Sequence, residues 1–243
     1  MTTYEQQLVC WSDSLSAGRA DTVLDDLTGD CSTHDVERFL ENAIGERYRL
    51  LTEELNLVAL AFDDFDGLVG EYLREVPRRT FALHEREQQR FLRWLKDRSL
   101  TPQQSDFVTY QESEYACYEL ARQNRTAHLE FQRVWNHSRR RIEKQSQLTN
   151  GVIRVNPVCV WTRLEVATVA DDESRSGDVV FLAVGTQVRS LWLTNTQYSA
   201  AQYLISHNPT TLTAWKASIP QMNTEGHDTL CRELVEGGLV AIS

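Results

Sequence analysis

No run of apolar residues in this 243-residue chain exceeds seven, far short of the roughly 20 that a membrane-spanning helix needs. The opening MTTYEQQLVCWSDS lacks a basic start followed by an apolar core, so no export signal is expected and the chain is assigned to the cytoplasm. Cysteine is sparse: Cys10, Cys31, Cys117, Cys159 and Cys231 lie far apart, odd in number and without a Cys-x-x-Cys. Reduced thiols are expected rather than a disulfide framework or a zinc site. The six histidines are dispersed and form no His-Glu-x-x-His; G-x-S-x-G, the P-loop and G-x-G-x-x-G are also missing. Catalysis by this chain alone has no support in the sequence, and no metal or other cofactor is expected on it. Positive charge is short too. A net charge of −10, −7 up to Thr149 and −3 after it, disfavours a nucleic-acid partner, whose phosphates demand a basic footprint.

What is present divides in two. Up to about residue 148 the periodicity is helical. Tyr4, Leu8, Trp11 and Leu15 share one helix face; a longer pattern runs through Val36, Leu40, Ile44, Leu51, Leu55, Val58 and Phe62. Phe65, Leu68, Val69 and Tyr72 mark another helix, and Phe91, Leu92, Trp94 and Leu95 the next. Thr101-Pro102-Gln103-Gln104 combines a Thr N-cap, Pro at the first helical position and Gln at the third. The helix it opens places Phe107, Tyr110, Glu114, Cys117 and Ala121 on one face. A last helix carries Leu129, Phe131, Val134, Trp135 and Ile142.

From Val152 the period becomes that of strands, with β-branched runs split by Asn156-Pro157. Residues 171–177 (DDESRSG) read as a polar loop. Residues 179–184 and 188–193 then form a hairpin across Gly185-Thr186-Gln187, and a helix carrying Tyr198, Ala201 and Ile205 follows, with Asn195 and Thr196 as available caps. A helix from the Pro209-Thr210-Thr211 cap carries Leu212, Trp215 and Ile219, another carries Leu230, Leu234 and Val235, and Gly237-Gly238 stops it before a short apolar strand. The fold class is α+β: an all-α N-terminal domain over residues 1–148, then a small winged-helix-like domain over 149–243, with an antiparallel sheet and helices.

Several features weigh as sites. Asp63-Asp64-Phe65-Asp66-Gly67 looks like a calcium loop, but with Gly67 at the sixth position Phe62 and Leu73 fall where the first and twelfth ligands belong; a capped helix junction explains it better. His84 near Glu87 reads as an exposed helix face. Glu114 on an apolar face is either an acid at a shared active site or one half of an ion pair with one of the 22 arginines. Arg139, Arg140, Arg141 and Lys144 suit an acidic partner or a solvated face. The hairpin leaves a strand edge whose backbone groups must be blunted or used. Its use is expected, along Val188, Arg189, Ser190, Leu191 and Leu193, in a groove shared with Tyr198, Ala201, Gln202 and Ile205 of the following helix. The strand at 158–166 is the alternative edge. A winged-helix regulator is the rival class, and the acidic C-terminal helices disfavour it.

The order of these features resembles the MbnC family of methanobactin biosynthesis. In the helical half the matching pattern runs from Phe65 through Tyr72-Leu73 and the segment from Glu87 to Trp94 to Tyr110-Gln111-Glu112-Ser113-Glu114-Tyr115-Ala116, where Glu114 stands at a glutamate that recurs before an aromatic. In the second half Arg154-Val155-Asn156-Pro157 resembles an Arg-x-x-Pro lead-in to the sheet, and the hairpin, the helix after Leu193 and Glu236-Gly237-Gly238-Leu239 fit as well. The resemblance implies a non-catalytic subunit, in a heterodimer with an iron-dependent TIM-barrel enzyme of the MbnB kind. By the same resemblance residues 1–148 serve partner docking and residues 149–243 are a leader-recognition-element-like domain, where the leader of an MbnA-like precursor peptide adds as a strand and its cysteines are presented for oxidative conversion to oxazolone and thioamide groups that chelate copper. The iron belongs to the partner enzyme. A related branch modifies other cysteine-containing peptides and is the alternative.

Overall fold

A computed structural model describes residue 14 and residues 33–76, 86–144, 150–170 and 173–243. The helices expected around Tyr4–Leu15, and His84, lie outside the described residues. No helix among the described residues is long and apolar enough to cross a membrane. The chain is α+β: nine helices and two antiparallel three-stranded sheets among the described residues. By contact it divides into residues 1–111 and 112–243. Helical periodicity persists to Lys144, so a division by secondary structure near residue 148 and a division by contact differ over one helix and a half, which group with the sheets.

The first unit contains α1 (Thr33–Glu54), α2 (Asn56–Ala59), α3 (Phe65–Glu75), α4 (Glu87–Lys96) and the first half of α5 (Pro102–Gln123). The apolar stripe that suggests one long helix is kept, with Leu51, Leu55 and Val58 fully buried, but the helix breaks at Leu55, whose φ and ψ are −108° and 29°. Bonds from Leu55 N–H to Leu51 O and from Ala59 N–H to Leu55 O carry the i to i−4 pattern across the break. The side-chain pattern is therefore blind to it. The Asp64 carboxylate accepts from Gly67 N–H at 2.9 Å and caps α3. A Cβ at position 67 would lie 2.2 Å from that carboxylate, which fixes glycine there for reasons of capping. At α5 the expected capping box forms: Gln104 N–H donates to Thr101 Oγ1 (3.3 Å) and Thr101 N–H to Gln104 Oε1 (3.0 Å). Phe65, Tyr72, Phe91 and Trp94 meet edge to face or stacked, with ring centroids 5.1 to 5.6 Å apart.

The second unit holds the rest of α5 and α6 (Arg125–Lys144), β1 (Val152–Val155), β2 (Cys159–Ala170), β3 (Glu173–Val184), β4 (Gln187–Leu193), α7 (Asn195–Ser206), β5 (Thr210–Thr211), α8 (Leu212–Ala217), α9 (Thr224–Glu236) and β6 (Val240–Ile242). One sheet has the order β5-β1-β6 and the other β2-β3-β4. Their shared core joins Ile153, Val180, Leu182, Leu204, Trp215, Leu234 and Val240. The polar residues 173–177, expected as loop, belong to β3 and pair with β2. The register shifts between Leu164 and Thr168, opposite Gly177 at φ +125°, a bulge of the kind glycine marks. Backbone pairing there needs no apolar side chains, and the sequence pattern misses it for that reason. The cap of α7 is Thr194, one residue before the expected pair, in a box with Gln197. Thr211 caps α8, which ends before Ile219. Gly238 takes φ +84° after α9, and a Cβ there would lie 2.6 Å from Val184 Cγ2.

Candidate functional site

Gly185 (φ +64°) and Thr186 make the β3–β4 turn, and Gln187 already pairs with Val184. Three side chains hold this end of the hairpin. Gln132 of α6 accepts from Gly185 N–H and donates to Ala183 O, His128 donates from Nε2 to Gly185 O at 3.2 Å, and Asn156 donates to Ala183 O at 3.0 Å. The strand direction is thus fixed from outside the sheet.

Which β4 backbone groups face outward follows from the register. Ala183 N–H donates to Val158 O on the β2 side, so Ala183 and Val188 are a pair without mutual hydrogen bonds. Bonding alternates along an antiparallel ladder. Arg189, Leu191 and Leu193 therefore bond back to β3, while Val188, Ser190 and Trp192 direct N–H and C=O away from it. β4 is an edge strand, and no strand lies beyond it among the described residues. Arg189 is exposed, and Val188, Ser190, Leu191 and Leu193 are half-buried. The Trp192 indole N–H is buried without a hydrogen-bond partner among the described residues.

The expected second wall is differently placed. Ala201 is 1% exposed and part of the core, so it presents no surface to a groove. Tyr198 packs edge to face on Trp161 of β2, centroids 6.1 Å apart, and β3 separates β2 from β4. Gln202 is half-buried and Ile205 exposed on the same helix. β4 is approached by α7, which follows it directly, and, at Leu191, by α9. The first turns of α9 share a hollow of about 410 Å³ with Thr194 and Gln197, lined by Asn223, Gly226 and Thr229. Glu233 accepts from Gln197 Nε2 at 2.8 Å, and Gly237 approaches Leu191 so closely that a Cβ would meet it at 2.8 Å. The lone sequence sign of this contact is glycine at 237, which local reasoning assigns to helix termination.

The other candidates separate. Glu114 is half-buried and is not a free carboxylate. In the basic cluster, the Arg139 guanidinium lies 5.2 Å from the Trp135 ring centroid and Arg141 donates to Asn150 O, while Arg140 and Lys144 are exposed. Burial pushes the Cys117 and Cys231 thiols up to about 12 and raises Cys159, the opposite of an activated nucleophile. No group of three or more His, Cys, Asp or Glu among the described residues is placed to hold a metal. No protein-family model matches the chain, and no curated protein or solved structure shows significant similarity to it.

Proposed function

We propose that the chain is the non-catalytic, peptide-presenting subunit of an iron-dependent peptide-modifying complex of the MbnB–MbnC kind, with the metal on its partner. The observation that carries this reading is the edge position of β4, with outward-directed backbone at Val188 and Trp192. Such an edge binds an extended peptide through main-chain hydrogen bonds and reads alternate side chains in adjoining hollows. In this reading the leader of a cysteine-bearing precursor lies along β4, Arg189 meets an acid on it, and Gln202 and Ile205 of α7 stand on the surface of the following helix. The C-terminal part then serves as the leader-recognition element and the helical part as the enzyme-docking part.

The test is calorimetry with a synthetic leader. Val188→Pro removes an outward N–H while leaving the ladder to β3 intact. It should weaken binding by about 1–3 kcal/mol, the cost of leaving a buried partner unmade. Arg163→Pro is the matching change on β2, because Arg163 pairs with Asp178 and Asp178 bonds towards β4. Unchanged affinity in a folded Val188→Pro chain overturns the placement, and loss in the Arg163→Pro chain alone moves the site to β2. Co-expression with a candidate iron enzyme tests the pairing: two separate peaks in size exclusion at micromolar concentration count against a permanent heterodimer.

A further inference from the structure

Helix α6 departs from the rest of the chain in charge. It carries six bases and two acids in a protein whose total is −10. Arg133, His137, Arg140 and Lys144 recur at i, i+4, i+7 and i+11, all exposed, with no acid among them on that line. Some exposed arginines elsewhere sit beside carboxylates: Arg49 with Glu46 and Glu53, Arg122 with Glu119, Arg163 with Asp178. By contrast Arg133, Arg140 and Lys144 form no ion pair among the described residues. Glu130 and Glu143, the two acids of the helix, leave the stripe unneutralised although helical spacing would let them reach it.

Next to the stripe, on the adjoining flank of α6, lies an apolar cleft of about 230 Å³. Phe131 and Val134 form one wall, Val155, Pro157 and Pro209 the other, and exposed Ala127, Glu130, Arg154 and Asn208 stand on its lining, where the charge of Glu130 is opposite in sign to that of Arg154. Its space suits a single aliphatic or aromatic side chain. Arg154 adds a further cation that forms no ion pair among the described residues.

We propose that the exposed face of α6 with this cleft is a docking surface for an acidic protein segment that inserts one large apolar side chain. The acidic character follows from the unneutralised stripe, which attracts an acid-rich segment and repels a basic one. The apolar anchor follows from the cleft, since a central buried side chain ringed by polar contacts is the ordinary anatomy of a protein interface. A nucleic acid fits the stripe but has no use for a cleft closed by two prolines, a phenylalanine and two valines. This surface is distinct from the β4 edge, and the inference does not depend on the leader reading.

Fluorescence anisotropy on the full chain tests it with three labelled probes: a short Glu/Ser peptide with one central Phe, the same peptide with Phe replaced by Ser, and a random-sequence DNA duplex of equal charge. The Phe peptide should bind at least about tenfold more tightly than the Ser peptide, and its binding should weaken between about 50 and 200 mM salt. Combined Arg133→Glu, Arg140→Glu and Lys144→Glu should abolish binding of both peptides; the Gln versions of the same changes should weaken it and guard against misfolding. Ala127→Trp fills the cleft and should erase only the difference between the two peptides. Equal affinity for the two peptides overturns the anchor. Binding unaffected by the Glu and Gln variants overturns the whole surface, and tighter binding of the duplex than of either peptide reassigns it to nucleic acid.

Discussion

In residues 33–111 the most deeply buried polar side chains, Arg47 and Gln88, reach carboxylates; in residues 112–243 most buried polar groups are neutral and find the main chain. Arg47, 4% exposed, donates to Glu87 and to Val76 O, and Tyr72 donates to the same carboxylate oxygen of Glu87 at 2.9 Å. Arg90 reaches Glu87 from the same helix. Further out, Trp94 and Arg98 both donate to Glu75, with the Arg98 guanidinium 3.7 Å from the Trp94 ring centroid. In the second unit Trp135 donates to Val235 O, Trp215 to Ala200 O, and Ser138 accepts from Ile242 N–H. Asn156 donates to Ala183 and Gly238 carbonyls and accepts from Val158 N–H. Lys216–Asp228 is the exception, a largely buried pair joining α8 to α9. The difference follows from architecture. Helices satisfy their own backbone, so side chains must settle accounts among themselves; short strands and tight links leave carbonyls and amides that side chains must reach.

The sharpest break in this comparison is Arg47→Met. It leaves Glu87 with Tyr72 and Arg90 but without its most deeply buried cation, and breaking one partner of a buried pair costs about 3–5 kcal/mol. Urea unfolding should show that loss, and hydrogen exchange should place it in residues 33–111; a loss below about 1 kcal/mol would mean the charged cluster is incidental. Asn156→Ala comes next, at about 2–3 kcal/mol, because it strips two carbonyls and one amide of buried partners. Its exchange signature should appear at the β3–β4 turn and around Gly238, and a uniform change across both units would contradict the local role. Thr101→Ala removes a cap and should cost about 1 kcal/mol by the same denaturation measurement, with Gln104→Ala similar because Gln104 also donates to Ala61 O.

The smallest effect is alkaline. Burial raises Cys117 and Cys231 from 9.0 to about 12, so between those values the unfolded chain gives up thiol protons that the folded chain keeps. Their contribution is complete below pH 9 and is lost as pH rises towards 12. At pH 9 each thiol contributes a loss of only a few tenths of a kcal/mol. Cys231→Ala should flatten that slope, and an unchanged slope would assign it to other groups.

Local chemistry made much of this fold readable. The Thr101 box, the Gly185 turn, the glycine stop after α9 and the apolar rhythm of every described helix depend on residues within four positions of one another. What escaped depends on distant contacts. Leu55 stays buried whether or not its helix breaks there. Residues 173–177 are a strand because β2 lies opposite, not because of their own side chains. At the candidate site, the edge strand and the helix beside it were legible and the outlook of that helix was not: Ala201 and Tyr198 lie on one face of α7, and periodicity cannot say whether that face meets the core, β2 or β4. The α6 stripe was visible only in part, since a cluster at 139–144 hides the regular line through Arg133 and His137 until burial separates inward from outward residues.

β4 spans seven residues, whereas β3 beside it spans twelve. An extended chain laid along β4 is therefore measured against a ruler of about 23 Å, at roughly 3.3 Å per residue. Only three or four of its side chains can point to the same side within that length. The site would read a short word rather than a sentence, and two peptides sharing that word would compete equally whatever chemistry lies further along either of them.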